Sequence, residues 1–190
     1  MKWLIASDLH GSAYYCRKLL EAYDLEKADR MLLLGDILYH GPRNDLPKEY
    51  APKEVIAMLN ERKNEICKQD ILCVRGNCDG EVDQMVLEFP IMADYCVLEL
   101  GKGIVYATHG HHFNEEHLPP LHKGDILLHG HTHVPKCVEH EEYVYLNPGS
   151  VSMPKEDSWR GYMILEDGTF LWKDFDGKEI MNFVMKGIRE

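Results

Sequence analysis

Short runs of consecutive apolar residues, each closed by a glycine or a small polar cluster, punctuate the first part of the chain. Residues 2–7 (KWLIAS), 31–34 (MLLL) and 71–74 (ILCV) are such runs. Without alternation, a run this short reads as a strand buried on both faces. Between the runs the spacing changes to that of a helix. Over 12–23, Cys16, Leu19, Leu20 and Tyr23 share one face, and Ser12 stands where an N-cap belongs. Over 53–66, Val55, Ile56, Leu59 and Ile66 point inward together, after a loop that carries Pro42, Pro47 and Pro52. Strand, helix, strand, helix, strand is the order of parallel pairing through crossover helices.

The second part has another texture. Residues 95–100, 104–108, 125–129, 137–139 and 143–146 form short apolar runs separated by Gly-rich or His-rich loops. Near the end, 162–165 and 170–172 flank Asp167-Gly168, and Phe175 and 180–184 flank Asp176-Gly177, which reads as two hairpins. The whole predicts a layered α/β fold in which two sheets pack together with helices outside. No Ser/Gly-rich or Pro-rich linker divides the 190 residues, and 45% hydrophobic content suffices for one core, so a single domain over 1–190 is expected.

Charge and cysteine usage narrow the partners. With 21 basic and 32 acidic residues the formal charge is −11, which repels a nucleic-acid backbone, so non-specific nucleic-acid binding is not expected. A small phosphorylated substrate stays open, because bound metal ions can dominate a local field. The opening apolar run is too short for a signal peptide or membrane span and no other stretch is long enough to cross a bilayer, so the cytoplasm is the expected location and no membrane partner is expected. The six cysteines, at 16, 67, 73, 78, 96 and 137, form no CxxC and should be reduced thiols there. A homo-oligomer is compatible with the sequence but nothing in it selects one.

The polar residues that could carry chemistry fall just beyond the C-terminal ends of predicted strands. Asp8 and His10 follow the first, Asp36 the second, Asn77 the third, His109 the run ending at Thr108, and His131 and His133 the run ending at His129. In open α/β sheets that edge is where ligands bind, and distant side chains can converge there. Two carboxylates, an amide and four imidazoles are N/O donors suited to Mn, Fe, Co, Ni or Zn. Seven donors exceed the usual protein share of one ion, whereas two ions sharing a carboxylate would use them all. Taken singly, Asp8 and Asp36 also fit helix caps or loops, and His131 and His133 fit a polar strand edge. His129 reads as structural. His111 reads as a solvated loop residue or one standing behind the ligands, and His40 and Arg43 lie in a loop that could reach the rim of such a site.

Together, Asp8-Leu9-His10, Gly35-Asp36, Gly76-Asn77-Cys78-Asp79, Thr108-His109-Gly110-His111 and Gly130-His131-Thr132-His133 resemble the ordered motifs of calcineurin-like metallophosphoesterases. The resemblance runs from residue 4 to about 153 and includes the Asn147-Pro148-Gly149-Ser150 turn. The Gly-Asn-Cys-Asp form and His40-Gly41-Pro42-Arg43-Asn44 resemble the small bacterial YfcE-type phosphodiesterases in particular. The resemblance implies a four-layer αββα sandwich of two mixed sheets flanked by helices. It implies two divalent ions, manganese first, with Fe, Ni, Co or Zn as alternatives. Asp8, His10 and His133 would hold one ion, Asn77, His109 and His131 the other, and Asp36 would bridge them. A hydroxide between the ions would then attack phosphorus in line with the leaving oxygen.

The departure from the family is Cys78, where many members carry a histidine that protonates the leaving group or grips phosphate. A thiol is a poor hydrogen-bond partner for phosphate, and a missing general acid can cost about 10²–10⁴-fold. The expected substrate is therefore a small phosphodiester. A phosphomonoesterase on the same site, or a non-catalytic scaffold like the small subunit of the retromer coat, are the alternatives. Asp79 is expected to orient the turn.

Overall fold

The computed structural model describes residues 1–65, 71–101 and 103–186, with backbone alone for 62–65. The inward place expected for Ile66, and Cys67, fall outside the described residues. In chain order the elements are β1 (Lys2–Ala6), α1 (Ala13–Glu26), β2 (Arg30–Leu33), α2 (Pro52–Glu65), β3 (Ile71–Cys73), α3 (Glu81–Gln84), β4 (Tyr95–Glu99), β5 (Ile104–Thr108), β6 (Asp125–Leu128), β7 (Lys136–Glu139), β8 (Tyr143–Asn147), β9 (Gly161–Glu166), β10 (Thr169–Asp174) and β11 (Glu179–Val184). They make two mixed sheets, one in the order β11-β10-β9-β1-β2-β3 and one in the order β4-β5-β6-β8-β7. The parallel pairs are β1 with β2 and β2 with β3, at one edge of the first sheet, and β5 with β6 and β6 with β8, in the middle of the second.

Alternation along the strands assigns the two cores. In β1, Leu4 and Ala6 face the helices, in a cluster with Cys16 and Leu19 of α1 and Val55 and Leu59 of α2. Trp3 and Ile5 face the other way, against Val105, Ile126, Leu128 and Leu146 of the second sheet. Both faces of β1 are thus buried, which is why its sequence is apolar without interruption. The α/β sandwich of two mixed sheets with flanking helices follows the expectation. The helices α1 and α2 cover the first sheet. Over the second sheet, the segment between β5 and β6 brings Phe113 against Tyr95 and Tyr106, and that segment is irregular rather than helical.

Local signals explain the boundaries. The Ser12 hydroxyl accepts from Tyr15 N–H at 3.3 Å and donates to Lys48 O at 2.6 Å, capping α1 and tying it to the loop before α2. Asp167 and Gly168, at φ 50° and 77°, form the tight turn from β9 to β10, as their sequence requires. Phe175, expected in a strand, instead lies in the turn before β11, with its ring 6.0 Å from Tyr15 and 5.8 Å from Tyr162. The one-turn helix α3 was not expected. Gly80 N–H donates to the Asp83 carboxylate at 2.8 Å, and this local bond sets the turn without any apolar periodicity. No helix among the described residues is long and apolar enough to cross a membrane.

Trp172 on β10 is fully buried, and its Nε1–H donates to Asn147 O at the end of β8, 2.6 Å away, so one side chain joins the two sheets. Trp172→Ala should lower the unfolding free energy by about 3–5 kcal/mol in urea titrations, by cavity formation and a stranded carbonyl. Trp172→Phe should lose only about 1–2 kcal/mol, since it keeps most of the volume. Equal losses for the two would contradict this bridging role.

Candidate metal centre

The C-terminal ends of β1, β2 and β3 open at the same edge as those of β5 and β6, and the loops from the two sheets interlock there. Asp8 is fully buried at that seam. Its carbonyl accepts from Ser150 Oγ at 2.8 Å and from Ser152 Oγ at 3.1 Å. Its Oδ2 accepts from Ser7 Oγ at 2.7 Å and from His131 N–H at 3.0 Å. Its other oxygen, Oδ1, is buried without a hydrogen-bond partner, 3.3 Å from His133 Nε2 and 3.6 Å from His10 Nε2. Burial alone would raise the Asp8 carboxyl. Contacts from His10 and His133, with the charge of His109, outweigh burial and hold it well below the usual value. For His10, burial works against the charged ring, but Asp8, Asp36 and the Tyr39 carbonyl outweigh it and raise its proton affinity.

The imidazoles carry the decisive geometry. Nδ1 of His10 lies 2.7 Å from Tyr39 O, Nδ1 of His109 lies 2.6 Å from Leu34 O, and Nδ1 of His133 lies 2.6 Å from Met153 O. A carbonyl only accepts, so each Nδ1 carries a proton and each ring, when neutral, turns an Nε2 lone pair inward. Those lone pairs meet other acceptors. His10 Nε2 is 3.3 Å from His133 Nε2. His109 Nε2 is 3.0 Å from Asn77 Oδ1 and 3.1 Å from His131 Nδ1. Acceptors this close need a cation between them, a proton or a metal ion, and the orphaned Asp8 Oδ1 has the same need. The donor set therefore fits divalent ions with N/O preference.

Two groupings emerge from the sequence-derived residues. Asp8, His10 and His133 converge with their donor atoms within 4.8 Å of one another, and so do Asp8, Asp36 and His109. Asn77 and His131 adjoin His109. Asp36 Oδ2 stands between the groups, 3.6 Å from both His10 Nε2 and His109 Nε2. Asp8, His10, Asp36, His131 and His133 all have positive φ, between 51° and 64°. Left-handed backbone at non-glycine residues costs of order 1–3 kcal/mol each and persists where the surroundings over-determine it, as at binding sites. Glycines give the carboxylates room: a Cβ at Gly76 would strike Asp36, and one at Gly130 would strike Ser7.

Asp79 is not among these donors. Its carboxylate accepts from Asp36 N–H at 2.8 Å, Ile37 N–H at 2.9 Å and Gly76 N–H at 2.7 Å, clasping the loop after β2 to the loop after β3. Burial raises its pKa despite those three bonds. Cys78 N–H donates to Asp36 Oδ1 at 2.8 Å, and Asn77 Nδ2 donates to the Cys78 sulfur at 3.2 Å. The thiol lies within 4.8 Å of donor atoms of His10 and Asp36. Burial, followed by the negative charge of Asp36, pushes its pKa up.

The remaining histidines separate. His111 packs at a tilt against His112 with centroids 3.9 Å apart, and its ring meets that of His109 edge-on with centroids 5.3 Å apart. Burial and the neighbouring rings push its pKa down to about 4. His129 stacks on Tyr145 with centroids 4.4 Å apart, and burial likewise pushes its pKa down to about 4. His40 sits between the rings of Tyr39 and Tyr50 rather than on the cavity wall. The cavity above the candidate donors, about 420 Å³, is walled by Arg43 and Asn44 on one side and by Lys155 on another. Lys155, Ser150 and Ser152 were not expected at the site. The two serines alternate at i and i+2, a spacing that sends both hydroxyls to one side, but only the fold brings Asp8 beneath them.

Residues 1–168 match the sequence family described as the calcineurin-like phosphoesterase superfamily domain. The phosphodiesterase YfcE of Escherichia coli strain K12 is 44% identical over 167 residues, 88% of each chain. The solved structure of E. coli YfcE, described as a phosphoesterase, superposes with a TM-score of 0.91 at 41% identity, covering 98% of this chain and all of that one (100%). Vacuolar Protein Sorting 29 from Cryptosporidium parvum shares the fold at a TM-score of 0.60 and 20% identity, covering 96% of this chain and 97% of its own.

Removing the clasp should be costly. Asp79→Ala leaves three N–H groups without their acceptor and should destabilise the protein by on the order of 3–6 kcal/mol. Asp79→Asn retains an acceptor and should lose less. Chemical denaturation of both variants checks this; an unchanged midpoint for Asp79→Ala would show that the clasp is dispensable.

Proposed function

The chain belongs to the calcineurin-like phosphoesterase superfamily, and from that premise we propose that it is a two-metal phosphodiesterase acting on a small phosphodiester, with residues 1–190 working as one domain. Asp8, His10 and His133 would hold the first ion and Asn77, His109 and His131 the second, with Asp36 shared between them. The observation that carries this reading is the facing of acceptor atoms, His10 Nε2 to His133 Nε2 at 3.3 Å and His109 Nε2 to Asn77 Oδ1 at 3.0 Å. Manganese is the first choice of metal, and Fe, Ni, Co or Zn suit the same donors. When bound, such ions supply a water nucleophile at neutral pH and draw charge from the phosphoryl oxygens.

The protein's own groups do the rest. Three carbonyls fix the ring tautomers, and Cys78 N–H holds Asp36 by Oδ1, leaving Oδ2 to the metals. The Cys78 sulfur accepts from the Asn77 amide, which turns Oδ1 of Asn77 toward His109. A neutral thiol is a weak acid and a weak donor to an alkoxide, so leaving groups that need no proton are favoured. The small uncharged side chain also leaves space for a second ester group where a charged ring would select a second anionic oxygen. His111, neutral and behind His109, helps to position that ring. The cytoplasm is the proposed place of action; none of the five described cysteines is in a disulfide.

With added manganese, an aryl phosphodiester should be hydrolysed in clear preference to the matching aryl monoester, and a monoester preference would overturn the substrate class. Cys78→His should raise monoester turnover relative to diester turnover; an unchanged ratio would refute the role given to this slot. Asn77→Ala and His109→Ala should each lower bound metal from two toward one per chain and cut turnover by about 10²-fold or more. Full activity and full metal content in both would overturn the ligand assignment.

A further inference from the structure

Arg43, Asn44 and Lys155 wall not only the cavity over the donors but also a second hollow, about 440 Å³, on its far side. The two hollows therefore adjoin across these three residues. Lys48 and Arg160 line the second hollow too, so four cations surround it, against Asp45 as the acid in its wall. That is a local reversal on a chain of formal charge −11. All four are exposed, and among the described residues none is paired with a carboxylate.

Two of these cations are held by neutral groups instead, and the backbone carrying the other two is anchored. Lys48 Nζ lies 3.3 Å from the centroid of the Tyr14 ring. The Arg160 guanidinium lies 5.2 Å from that of Tyr15, and its Nε–H donates to Ser152 O at 2.9 Å. Lys155 N–H donates to His133 O at 3.2 Å, which anchors this residue directly beside a candidate metal ligand. Asn44 Nδ2–H donates to His40 O at 2.8 Å and closes the loop that carries Arg43. Rings and carbonyls orient a cation without cancelling its charge, so the cluster keeps a field that attracts an anion. Leu46, Pro47, Met153 and Pro154 supply apolar wall between the cations.

We propose that this second hollow is an anion subsite, and that the substrate is a small diester whose alcohol arm ends in a further phosphate held by Arg43, Lys48, Lys155 and Arg160. This deepens the phosphodiesterase reading and rests on it. The first phosphate sits over the metal ligands, the carbon arm crosses the apolar wall, and the terminal phosphate meets the four cations. The cluster sets specificity and takes no part in bond cleavage.

Equilibrium binding tests this without turnover. On manganese-loaded protein, calorimetry with a linear alkane-α,ω-bisphosphate should show affinity at least about 10-fold tighter than with the matching alkyl monophosphate. The advantage should shrink as salt rises. It should vanish in Lys48→Gln/Arg160→Gln and, as a second variant that disturbs no aromatic contact, in Arg43→Gln/Lys155→Gln. Equal affinities in the unaltered protein with no inorganic phosphate bound in the hollow, or an advantage that survives both double variants, overturns the subsite. If inorganic phosphate occupies the hollow while the tethered phosphate gains nothing, it is a free-anion site and the substrate assignment is overturned. A bisphosphate advantage in a protein that hydrolyses no diester would sustain the subsite while refuting the activity, so the two failures are distinct.

Discussion

The Nδ1 protons of His10, His109 and His133 each end on a backbone carbonyl, and most of the site depends on that. The carbonyls belong to Tyr39, Leu34 and Met153, which come from two loops and from the residue just after β2. Each bond fixes a tautomer and turns a lone pair inward, toward other lone pairs and toward a carboxylate oxygen with no partner of its own. Such a cluster is unfavourable without a cation and highly selective for one with it. The fold is what makes the carbonyls available. His109 comes from the second sheet and Leu34 from the first, so the ring is oriented only when the two sheets are packed.

A second layer of contacts secures that packing at the seam. Asp8 takes hydrogen bonds from Ser7, His131, Ser150 and Ser152, and Asp79 clasps the loops after β2 and β3 with three backbone bonds. Five candidate ligands with positive φ store strain that these bonds must outweigh. Asp and His are the residue types that adopt this conformation most readily after glycine and asparagine. The ligand chemistry and the tight loop geometry therefore ask for the same residues.

Much of this was legible in the sequence. Asp8, Asp36, Asn77, His109, His131 and His133 stood at strand ends because parallel strands deliver their C-termini to one edge, and apolar runs reveal such strands. The hairpin at Asp167-Gly168 was legible because its turn needs left-handed backbone. What could not be read was anything that depends on a distant partner. The role of Ser150 and Ser152 exists only once Asp8 lies beneath them. The placement of Phe175 follows from the rings of Tyr15 and Tyr162, not from its neighbours in the chain. Lys155 gave no signal, because a lysine in an irregular segment becomes a site residue only through the bond that ties it to His133. Cys78 was legible as a departure from the family. Its bonds to Asp36 and Asn77 were not, and they give the residue a positioning role besides the absence of a proton donor.

The candidate centre and the basic hollow adjoin, with acceptor atoms facing one another in the first and cations without carboxylate partners, among the described residues, lining the second. Anomalous diffraction from manganese-loaded crystals tests the central claim most directly. The account predicts two manganese peaks about 3.5–4 Å apart, one among Asp8, His10 and His133, the other among Asn77, His109 and His131, both beside Asp36 Oδ2. A single peak, or a peak bound by the Cys78 sulfur in place of one of those groups, would contradict it.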